Sequence, residues 1–482
     1  MVLPTITVDI GTTSVKLSLF DSDAAPVASL RVTTPTTRDD TGEIYDITAL
    51  RAVITDFIAG LGSAIRATVE RIAITGVGES GGLVAPDLTL ASPMILWHDQ
   101  RGQGRLAGLS AEDRTRIYEV TGLPVSGNYA ISKAAWAIDS APSSTIGTKW
   151  LNVAEYVAAL MTGERWSEPS LASRTMALHL TRGEWSEEVC ELFGIDTAVF
   201  PALRPASHGT PIAPRYAAEV GLPADVHVHV AGHDHMVGGV GADLQPGELL
   251  NSTGTTEGLL FLADSPDLGP RAERAKLANG LDCRGHGYTL FASIPTGGSA
   301  FETLQHLIGI DANELNRHVR RLHAKYLAGA IHPDAAPLVL PRFRGAPPPT
   351  KDTRARGLIA GLRTDSTVEE LVLGCFLGMV LQFRDVLELF ESPTQLIKVI
   401  GPASRNPLWQ QLKADLLGVP LSASQVSEVV SLGAQALVTR TTRRWSASDP
   451  HEIVVDPDRH HQLTAWADTI RPQWEYLKGF PS

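Results

Sequence analysis

Residues 6–20 read ITVDIGTTSVKLSLF, and this stretch decides the predicted fold. The apolar run at 6–10 predicts a buried strand, Gly11-Thr12-Thr13-Ser14 predicts a turn, and residues 15–20 alternate as a second strand. A third strand, a helix and a buried strand are then predicted in that order at residues 26–30, 50–68 and 71–76. This β-β-β-α-β order predicts an α/β core whose sheet is only partly parallel.

The second half of the chain repeats the opening pattern. Thr253-Gly254-Thr255-Thr256 is a polar turn between two apolar strand-like runs, as residues 11–13 are in the first half. The two turns indicate two related halves. Gln245-Pro246-Gly247 interrupts both helix and strand. We therefore expect two domains, residues 1–244 and 245–482, with amphipathic helices of the middle region added to the first.

Composition narrows the classes of function. The 482 residues include 41 Lys and Arg against 53 Asp and Glu, a formal net charge of −12 at pH 7, which argues against general nucleic-acid binding. The three cysteines lie far apart and do not suggest a disulfide framework, so a cytoplasmic location is expected. The most apolar later stretch, residues 371–383, is too short to cross a bilayer and predicts a buried helix, so we expect no membrane partner.

The turn after Asp9 has the composition of a phosphate-binding site. Backbone N–H groups in a glycine turn hold phosphate oxygens, hydroxyls add donors, and a carboxylate at the strand end can hold Mg²⁺ through water. The second turn, at 253–256, would let the protein hold a triphosphate from two sides. The alternative is an ordinary β-hairpin in which Asp and Gly only form the turn.

Asp234 is the candidate general base. It follows a strand-like run at 225–231, and near a phosphate site its carboxylate could take the proton of an attacking hydroxyl. The alternative is a helix N-cap. A rival of another class is a zinc hydrolase, because four histidines lie within nine residues: His227, His229, His233 and His235.

Two further segments have the residue types of ligand sites. Trp97, Asp99 and Arg101 together offer an apolar face and charged groups for a sugar or polyol, and Glu79 could border the same cleft. A surface salt bridge beside a half-buried Trp is the alternative. Residues 401–409 form a small-residue turn before a helix, where a flat ring could approach the backbone, although a plain strand–helix connection would look similar.

Taken in order, these segments resemble the FGGY carbohydrate kinases, members of the actin-like ATPase superfamily. The resemblance covers about residues 4–440. Its motifs are DIGTT at 9–13, LWHDQR at 96–101, SLASRT at 170–175, GHD at 232–234, STGTT at 252–256, RGLIAGL at 356–362 and SRNPLW at 404–409. It implies two ribonuclease-H-like domains flanking a deep catalytic cleft, and transfer of the γ-phosphate of ATP to a hydroxyl of a sugar, ketose or polyol.

The resemblance also assigns roles to residues. It implies that Asp234 is the catalytic base and that Asp9 is the carboxylate near Mg²⁺ and the phosphates, with Asp234 as a second candidate metal ligand. The ATP-binding positions are Gly11, Thr12, Thr13, Lys16, Gly254, Thr255, Thr256, Gly401, Ala403 and Asn406. The acceptor-binding positions are Glu79, Trp97, Asp99, Arg101, His233 and Asp234. We expect ATP, Mg²⁺ and a small sugar or polyol as partners, and a homodimer as the assembly to test.

The sequence departs from the family pattern beside the acceptor. Xylulose kinases carry Gln-Met-His-Gly and glycerol kinases an Arg-Glu pair where this chain has Glu79-Ser80-Gly81-Gly82. Small residues there predict a wide pocket, and His233 and His235 place two imidazoles beside Asp234. No particular acceptor is therefore implied, and an actin-like ATPase or nucleotide sensor without a sugar acceptor stays an alternative.

Overall fold

Two mixed sheets form the framework of the protein, seen in a computed structural model that describes residues 2–141 and 145–480. The strands are β1 (Thr5–Ile10), β2 (Ser14–Phe20), β3 (Pro26–Thr33), β4 (Thr36–Arg38), β5 (Glu43–Tyr45), β6 (Arg71–Gly76), β7 (Gly81–Val84), β8 (Lys149–Asn152), β9 (Leu178–His179), β10 (Glu184–Trp185), β11 (Thr210–Pro211), β12 (His227–His233), β13 (Glu248–Thr253), β14 (Glu257–Ala263), β15 (Ala278–Leu281), β16 (Tyr288–Ile294), β17 (Leu338–Leu340), β18 (Leu358–Ala360), β19 (Leu396–Ile400), β20 (Leu421–Ala423) and β21 (His451–Ile453).

Helices cover both sheets and fill the connections between strands. They are α1 (Ile47–Gly60), α2 (Ser63–Arg66), α3 (Gly104–Ala107), α4 (Ala111–Thr121), α5 (Ala130–Ser140), α6 (Val153–Thr162), α7 (Pro169–Ala172), α8 (Glu187–Leu192), α9 (Pro214–Val220), α10 (Asp234–Gly241), α11 (Pro270–Arg274), α12 (Ser299–Ile308), α13 (Ala312–Leu327), α14 (Val368–Leu387), α15 (Pro407–Leu417), α16 (Val429–Thr439), α17 (Pro457–Thr469) and α18 (Arg471–Lys478). None of the described helices is long and apolar enough to cross a membrane.

The two sheets share one topology. In the first, the order is β11-β12-β6-β1-β2-β3; β1, β2 and β3 form an antiparallel meander, and β6 runs parallel to β1 and β12 parallel to β6. In the second, the order is β15-β16-β14-β13-β19-β20-β21; β13, β14 and β16 form the meander, and β19 and β20 continue in parallel. The predicted pair of ribonuclease-H-like domains is confirmed.

Local sequence explains most of these elements. β1 is buried along its whole length: Ile6, Val8 and Ile10 pack in the apolar core on one face of the sheet, and the alternating polar residues of the strand are covered on the other face. The single helix predicted at 50–68 is wrong, since α1 ends at Gly60 and α2 starts at Ser63. Gly60 and Gly62 flank the break, and glycine is a poor helix former. The apolar stretch at 371–383 lies within α14, which is largely buried as predicted.

The chain between β6 and β12 forms an extension of the first domain that has a hydrophobic core of its own. Buried side chains of α4, α5 and α8 pack there with residues from β7 and β8. The same extension carries Trp97 and Arg174 toward the first sheet. A division of the chain into residues 1–244 and 245–482 stays a prediction.

Helices α10 and α16 cross between the two sheets. α10 follows β12 yet also packs on β13 and β14, and α16 packs on β1, β6 and β12. Glycines make the crossing close, because a Cβ at Gly241 would lie 2.0 Å from the Val429 carbonyl oxygen and one at Gly433 would lie 2.2 Å from that of Val237. The helix that begins with Asp234 is therefore in direct contact with both domains.

Candidate active site

The first polar turn lies between β1 and β2. The Gly11 N–H donates to the Ser14 carbonyl oxygen at 3.1 Å and closes the turn. Thr34 supports it, since its Oγ1–H donates to the Gly11 carbonyl oxygen at 2.7 Å and its N–H to the Thr13 carbonyl oxygen at 3.1 Å. The side chains of Thr12 and Thr13 are exposed. The turn therefore has a fixed backbone and exposed threonine side chains, as phosphate binding requires.

Asp9 lies at the end of β1, directly opposite Lys16 in the hairpin register. Its Oδ2 is 3.0 Å from Lys16 Nζ, and the charge of Asp9 is the main cause that raises the pKa of Lys16. Carboxylates suit Mg²⁺, which takes its other ligands from water and phosphate, and the charge of Asp9 raises the pKa of the second candidate ligand, Asp234. Within residues 2–141 and 145–480 no group of three or more His, Cys, Asp or Glu side chains could hold a metal.

Asp234 begins α10 directly after β12. The N-cap of that helix is His233, whose ring nitrogen accepts from the His235 N–H at 3.3 Å, so the alternative of Asp234 as the N-cap is wrong. The carboxylate of Asp234 is 22% exposed, and its Oδ1 accepts from the His235 N–H at 2.7 Å. Burial, then the charges of Asp9 and Glu79, raise the pKa of Asp234 to about 8. A pKa near the working pH suits a general base.

Glu79 and Arg174 form a buried ion pair next to His233. Arg174 donates from Nε at 3.0 Å and from Nη2 at 2.8 Å to Glu79 Oε1, and its side chain is only 5% exposed. Its guanidinium lies over the rings of Tyr129 and Phe291. His233 Nε2 is 4.0 Å from Glu79 Oε2, and burial, followed by the charge of Arg174, lowers the pKa of His233, so its imidazole is neutral.

The small residues after Glu79 do not widen a pocket, and that expectation is wrong. A Cβ at Gly81 would lie 2.6 Å from the Trp150 ring, and one at Gly82 would lie 2.7 Å from the Pro93 carbonyl oxygen. Ser80 is fully buried. These residues are small because β7 packs closely against neighbouring chain segments.

Asn152 fixes the loop that carries Glu79. Its Nδ2 donates to the carbonyl oxygens of Val77, Gly78 and Ser80 at 2.8–2.9 Å. One buried amide thus satisfies three backbone acceptors around Glu79, and an unpaired buried acceptor is costly. Sequence reasoning missed Asn152, because the partners are more than 70 residues away along the chain.

We expect Asn152→Asp to raise the KM for the acceptor by about tenfold, because the substitution removes the NH₂ group that donates to three carbonyl oxygens and turns a carboxylate toward them. The KM for ATP should stay within about twofold, since the ATP turns lie elsewhere. Steady-state kinetics with each substrate varied measures both constants. Asn313→Asp, at an exposed position of α13, is the matched control, and an unchanged acceptor KM in Asn152→Asp would contradict the assigned role.

Trp97 and Arg101, both predicted to bind the acceptor, make different contacts in the structure. Trp97 Nε1–H donates to Thr12 Oγ1 at 2.9 Å, so the predicted acceptor residue contacts the first phosphate turn. The Arg101 side chain is fully buried and donates to both Asp99 and Asp39. Arg101 therefore joins two loops, and acceptor contacts of Asp99 and Arg101 stay predictions without support from this geometry.

The second polar turn lies between β13 and β14. Gly254 and Thr255 are exposed, and a Cβ at Gly254 would meet no atom within 4 Å. Gly401 has φ +96°, and a Cβ there would lie 2.1 Å from the Thr253 carbonyl oxygen. Only glycine fits this close approach, which brings the turn at 401–405 against the turn at 253–256.

Gly297 and Gly298 complete this side of the site and were missed in the sequence. The Gly298 N–H donates to the Gly254 carbonyl oxygen at 2.8 Å, and the Gly297 N–H to that of Thr255 at 3.0 Å. A Cβ at Gly298 would lie 3.8 Å from Ala403 Cβ. The run Thr-Gly-Gly at 296–298, directly before α12, was the available signal.

Asn406 is the N-cap of α15, where its Oδ1 accepts from the Trp409 N–H at 3.0 Å. Ala403 is buried and Thr256 is half-buried. The predicted ATP-binding residues of the second domain are thus gathered around one exposed turn. Which of them contact the nucleotide stays a prediction.

The start of α10 contacts the strand that leads into the second turn. His235 Nδ1 is 2.8 Å from Ser252 Oγ on β13, one residue before the second turn, and its ring packs at a tilt against Phe291 of β16. The charge of Asp9, next to the first turn, raises the pKa of the neighbouring Asp234. The base candidate therefore lies where the first and second domains face each other.

The four histidines do not form a zinc site. His227 Nδ1 contacts the Asp225 carbonyl oxygen and His229 Nδ1 that of Ala206, whereas the rings of His233 and His235 turn toward Glu79 and Ser252. A register shift between Val230 and Gly232 separates the two pairs. The part of the chain that the structure describes offers no ligand set for a zinc hydrolase.

Two ribonuclease-H-like domains, each with a polar turn between two strands of its meander, and a carboxylate at the start of a helix that packs on both sheets are typical of an ATP-using phosphotransferase with an alcohol acceptor. Residues 5–241 match the FGGY family of carbohydrate kinases, N-terminal domain, and residues 249–441 match the C-terminal domain of the same family. The chain belongs to the FGGY family of carbohydrate kinases.

Individual relatives agree with this membership. The chain is 25% identical over 463 residues to a glycerol kinase from Gloeobacter violaceus, covering 91% of this chain and 88% of that protein. Its fold is similar to a gluconate kinase from Lactobacillus acidophilus, with a TM-score of 0.85 at 18% identity over 100% of both chains. It is also similar to a xylulose kinase from Lactobacillus acidophilus, with a TM-score of 0.84 at 19% identity over 98% of both chains. At these identities the structural likeness shows the fold alone.

Proposed function

We propose that this kinase transfers the γ-phosphate of ATP to a hydroxyl of a sugar or polyol with Asp234 as the general base. One observation carries the proposal: the Asp234 side chain is 22% exposed, its Oδ1 lies 3.2 Å from His233 Nδ1, and the other nitrogen of that ring, Nε2, lies 4.0 Å from Glu79 Oε2. A hydroxyl placed there would face the base and the terminal phosphate together, which is the geometry of in-line transfer.

Each side of the site has a distinct task in this mechanism. Asp234 takes the hydroxyl proton as the oxygen attacks the terminal phosphorus, and ADP leaves. Glu79 accepts a hydrogen bond from a second hydroxyl of the acceptor, and the neutral His233 donates from Nε2. Thr12, Thr13 and the turn at 254–256 bind the phosphates. Mg²⁺ near Asp9, when bound, would neutralise the phosphate charge.

Movement of the two domains about the crossing of α10 and α16 would close the site. Closure excludes water, which would otherwise accept the phosphate. The Trp97–Thr12 hydrogen bond links the acceptor side to the phosphate turn within one domain and supports a coupling between occupancy of the two sites.

A coupled assay of ADP release over ketoses, polyols and sugar acids tests the proposal. We expect release to require both Mg²⁺ and one class of acceptor and to exceed the rate with water by about 10²-fold or more. ATP turnover that no acceptor stimulates would instead favour the actin-like ATPase or nucleotide sensor. A homodimer, a cytoplasmic location and a domain boundary at residues 244–245 also remain predictions.

A further inference from the structure

Ser170 binds the backbone at the end of β12. Its hydroxyl oxygen accepts from the His233 N–H at 3.0 Å, and the residue is fully buried. Among the described residues, β6 pairs along one edge of β12, whereas β11 pairs with the other edge only at His227 and Val228. A backbone N–H that is buried without an acceptor costs free energy. Ser170 therefore supplies the acceptor that a neighbouring strand would otherwise provide, one residue before the candidate base.

Glu168 fixes the direction of this hydrogen bond. Its Oε2 accepts from the Ser170 hydroxyl, from the Ser170 N–H at 2.8 Å and from the Leu171 N–H at 3.1 Å. A serine hydroxyl has one proton, and because this proton is donated to Glu168, the oxygen turns a lone pair to the His233 N–H. Glu155 holds Glu168 in turn, since its Oε1 accepts from the Glu168 N–H at 3.0 Å. The hydroxyl of Ser170 therefore has a single orientation.

β12 is irregular just before α10. Its pairing with β6 shifts register between Val230 and Gly232, and Gly232 has φ +123°. A Cβ at Gly232 would lie 2.5 Å from Ser170 Oγ, so only glycine allows the serine to approach this closely. Thr75 Oγ1–H also donates to the Gly232 carbonyl oxygen at 2.6 Å. The chain thus leads into Asp234 through an irregular strand end that two buried hydroxyls hold in place.

The turn that carries Ser170 also holds Glu79. The Arg174 N–H donates to the Leu171 carbonyl oxygen at 3.0 Å, so the helical turn of α7 continues to Arg174. Residues three or four apart lie on the same side of a helix. Arg174 Nε and Nη2 donate to Glu79 Oε1 at 3.0 and 2.8 Å. One short segment therefore fixes the strand end before Asp234 relative to Glu79.

We propose that Ser170 is a positioning residue, whose hydroxyl sets the backbone of His233 so that the carboxylate of Asp234 faces the acceptor hydroxyl. His233 is the N-cap of α10 and Asp234 is its first residue, so a shift of the His233 N–H moves the carboxylate with it. A displacement of about 1 Å in an active site can cost up to about 10²-fold in rate. This gives a role to the first residue of the SLASRT motif. The inference rests on the proposed kinase function, because it names what holds the base of that reaction.

Ser170→Ala removes the hydroxyl and leaves the rest of the turn. With ATP, Mg²⁺ and the most active acceptor from the ADP-release assay, we expect kcat to fall about tenfold and the KM of each substrate to stay within about twofold. Ser186→Ala is the matched control, since Ser186 is also buried and its Oγ accepts from the Val189 N–H at the start of α8. The control should lose stability but keep its kcat when both variants are measured well below their melting temperatures.

A double-mutant cycle separates positioning of the base from a role in the fold. In an Asp234→Asn background, Ser170→Ala should change kcat by less than about twofold, because no base remains to be misplaced. A tenfold loss in both backgrounds would overturn the inference, since Ser170 would then act independently of Asp234. If Ser170→Ala does not fold, Ser170→Cys takes its place in the cycle. Its sulfur keeps the shape of the side chain but is a weaker acceptor, so we expect about a threefold loss of kcat in the presence of the base and none in its absence.

The outcomes keep the inference apart from the function on which it rests. An unchanged kcat in Ser170→Ala, together with a large loss in Asp234→Asn, would overturn the inference and leave the kinase in place. A raised KM with an unchanged kcat would also overturn it, because Ser170 would then shape a binding surface. Near-normal turnover in Asp234→Asn, or phosphorylation of no acceptor, would instead mean that the proposed function itself fails.

Discussion

Asp234→Asn is expected to lower kcat by about 10²-fold or more, because the amide cannot take the proton of the acceptor hydroxyl. The replacement keeps the shape of the side chain and its acceptor oxygen for the His235 N–H. Binding of ATP should change little, since the phosphate turns are formed by other residues. Steady-state turnover, together with calorimetric titration of ATP, measures the two effects separately.

Asp365→Asn is the matched control, since it removes a carboxylate that is 78% exposed. Turnover of Asp234→Asn within about threefold of the wild type would exclude Asp234 as the base, because general-base catalysis contributes far more than that. A parallel loss of ATP binding would instead indicate that the residue acts chiefly through the metal and the phosphates.

The features that the sequence predicted are those with local signals. A buried strand, a Gly-Thr-Thr turn and a second strand follow one another within residues 6–20, and the same order near residue 254 revealed the duplication. The crossing of the helices that start near Asp234 and Val429 was not predicted, because each helix packs on a sheet formed by the other half of the chain.

The arrangement of residues around Glu79 could not be predicted, because it depends on contacts between residues far apart in the sequence. Glu79 was expected beside the acceptor, but its partner Arg174 lies 95 residues further along and was only one letter of a motif. A Cβ at Gly78 would lie 2.2 Å from the His233 ring and 2.8 Å from Arg174 Cγ. Gly78 is therefore small because it packs closely, as are Gly81 and Gly82, which had suggested open space, and composition alone cannot tell close packing from an open pocket.

The crossing of α10 and α16 gives the second large prediction. We expect Gly433→Val to lower the free energy of unfolding by about 3 kcal/mol, because its Cβ would lie 2.2 Å from the Val237 carbonyl oxygen and 2.7 Å from the Gly241 nitrogen. Backbone atoms on the facing helix cannot turn aside as a side chain can, so the helices must separate. Thermal unfolding should shift down by roughly 6–12 °C for a domain of this size.

Gly60→Val is the matched control, since Gly60 ends α1 and a Cβ there meets no atom within 4 Å. Equal melting temperatures for the two variants would mean that the crossing is looser than the structure shows. Activity adds a second readout: α10 begins with Asp234, so separating the helices should also lower kcat in folded Gly433→Val measured well below its melting temperature. A variant that loses stability but keeps full kcat would show that the base is positioned by β12 alone and does not depend on the contact between domains.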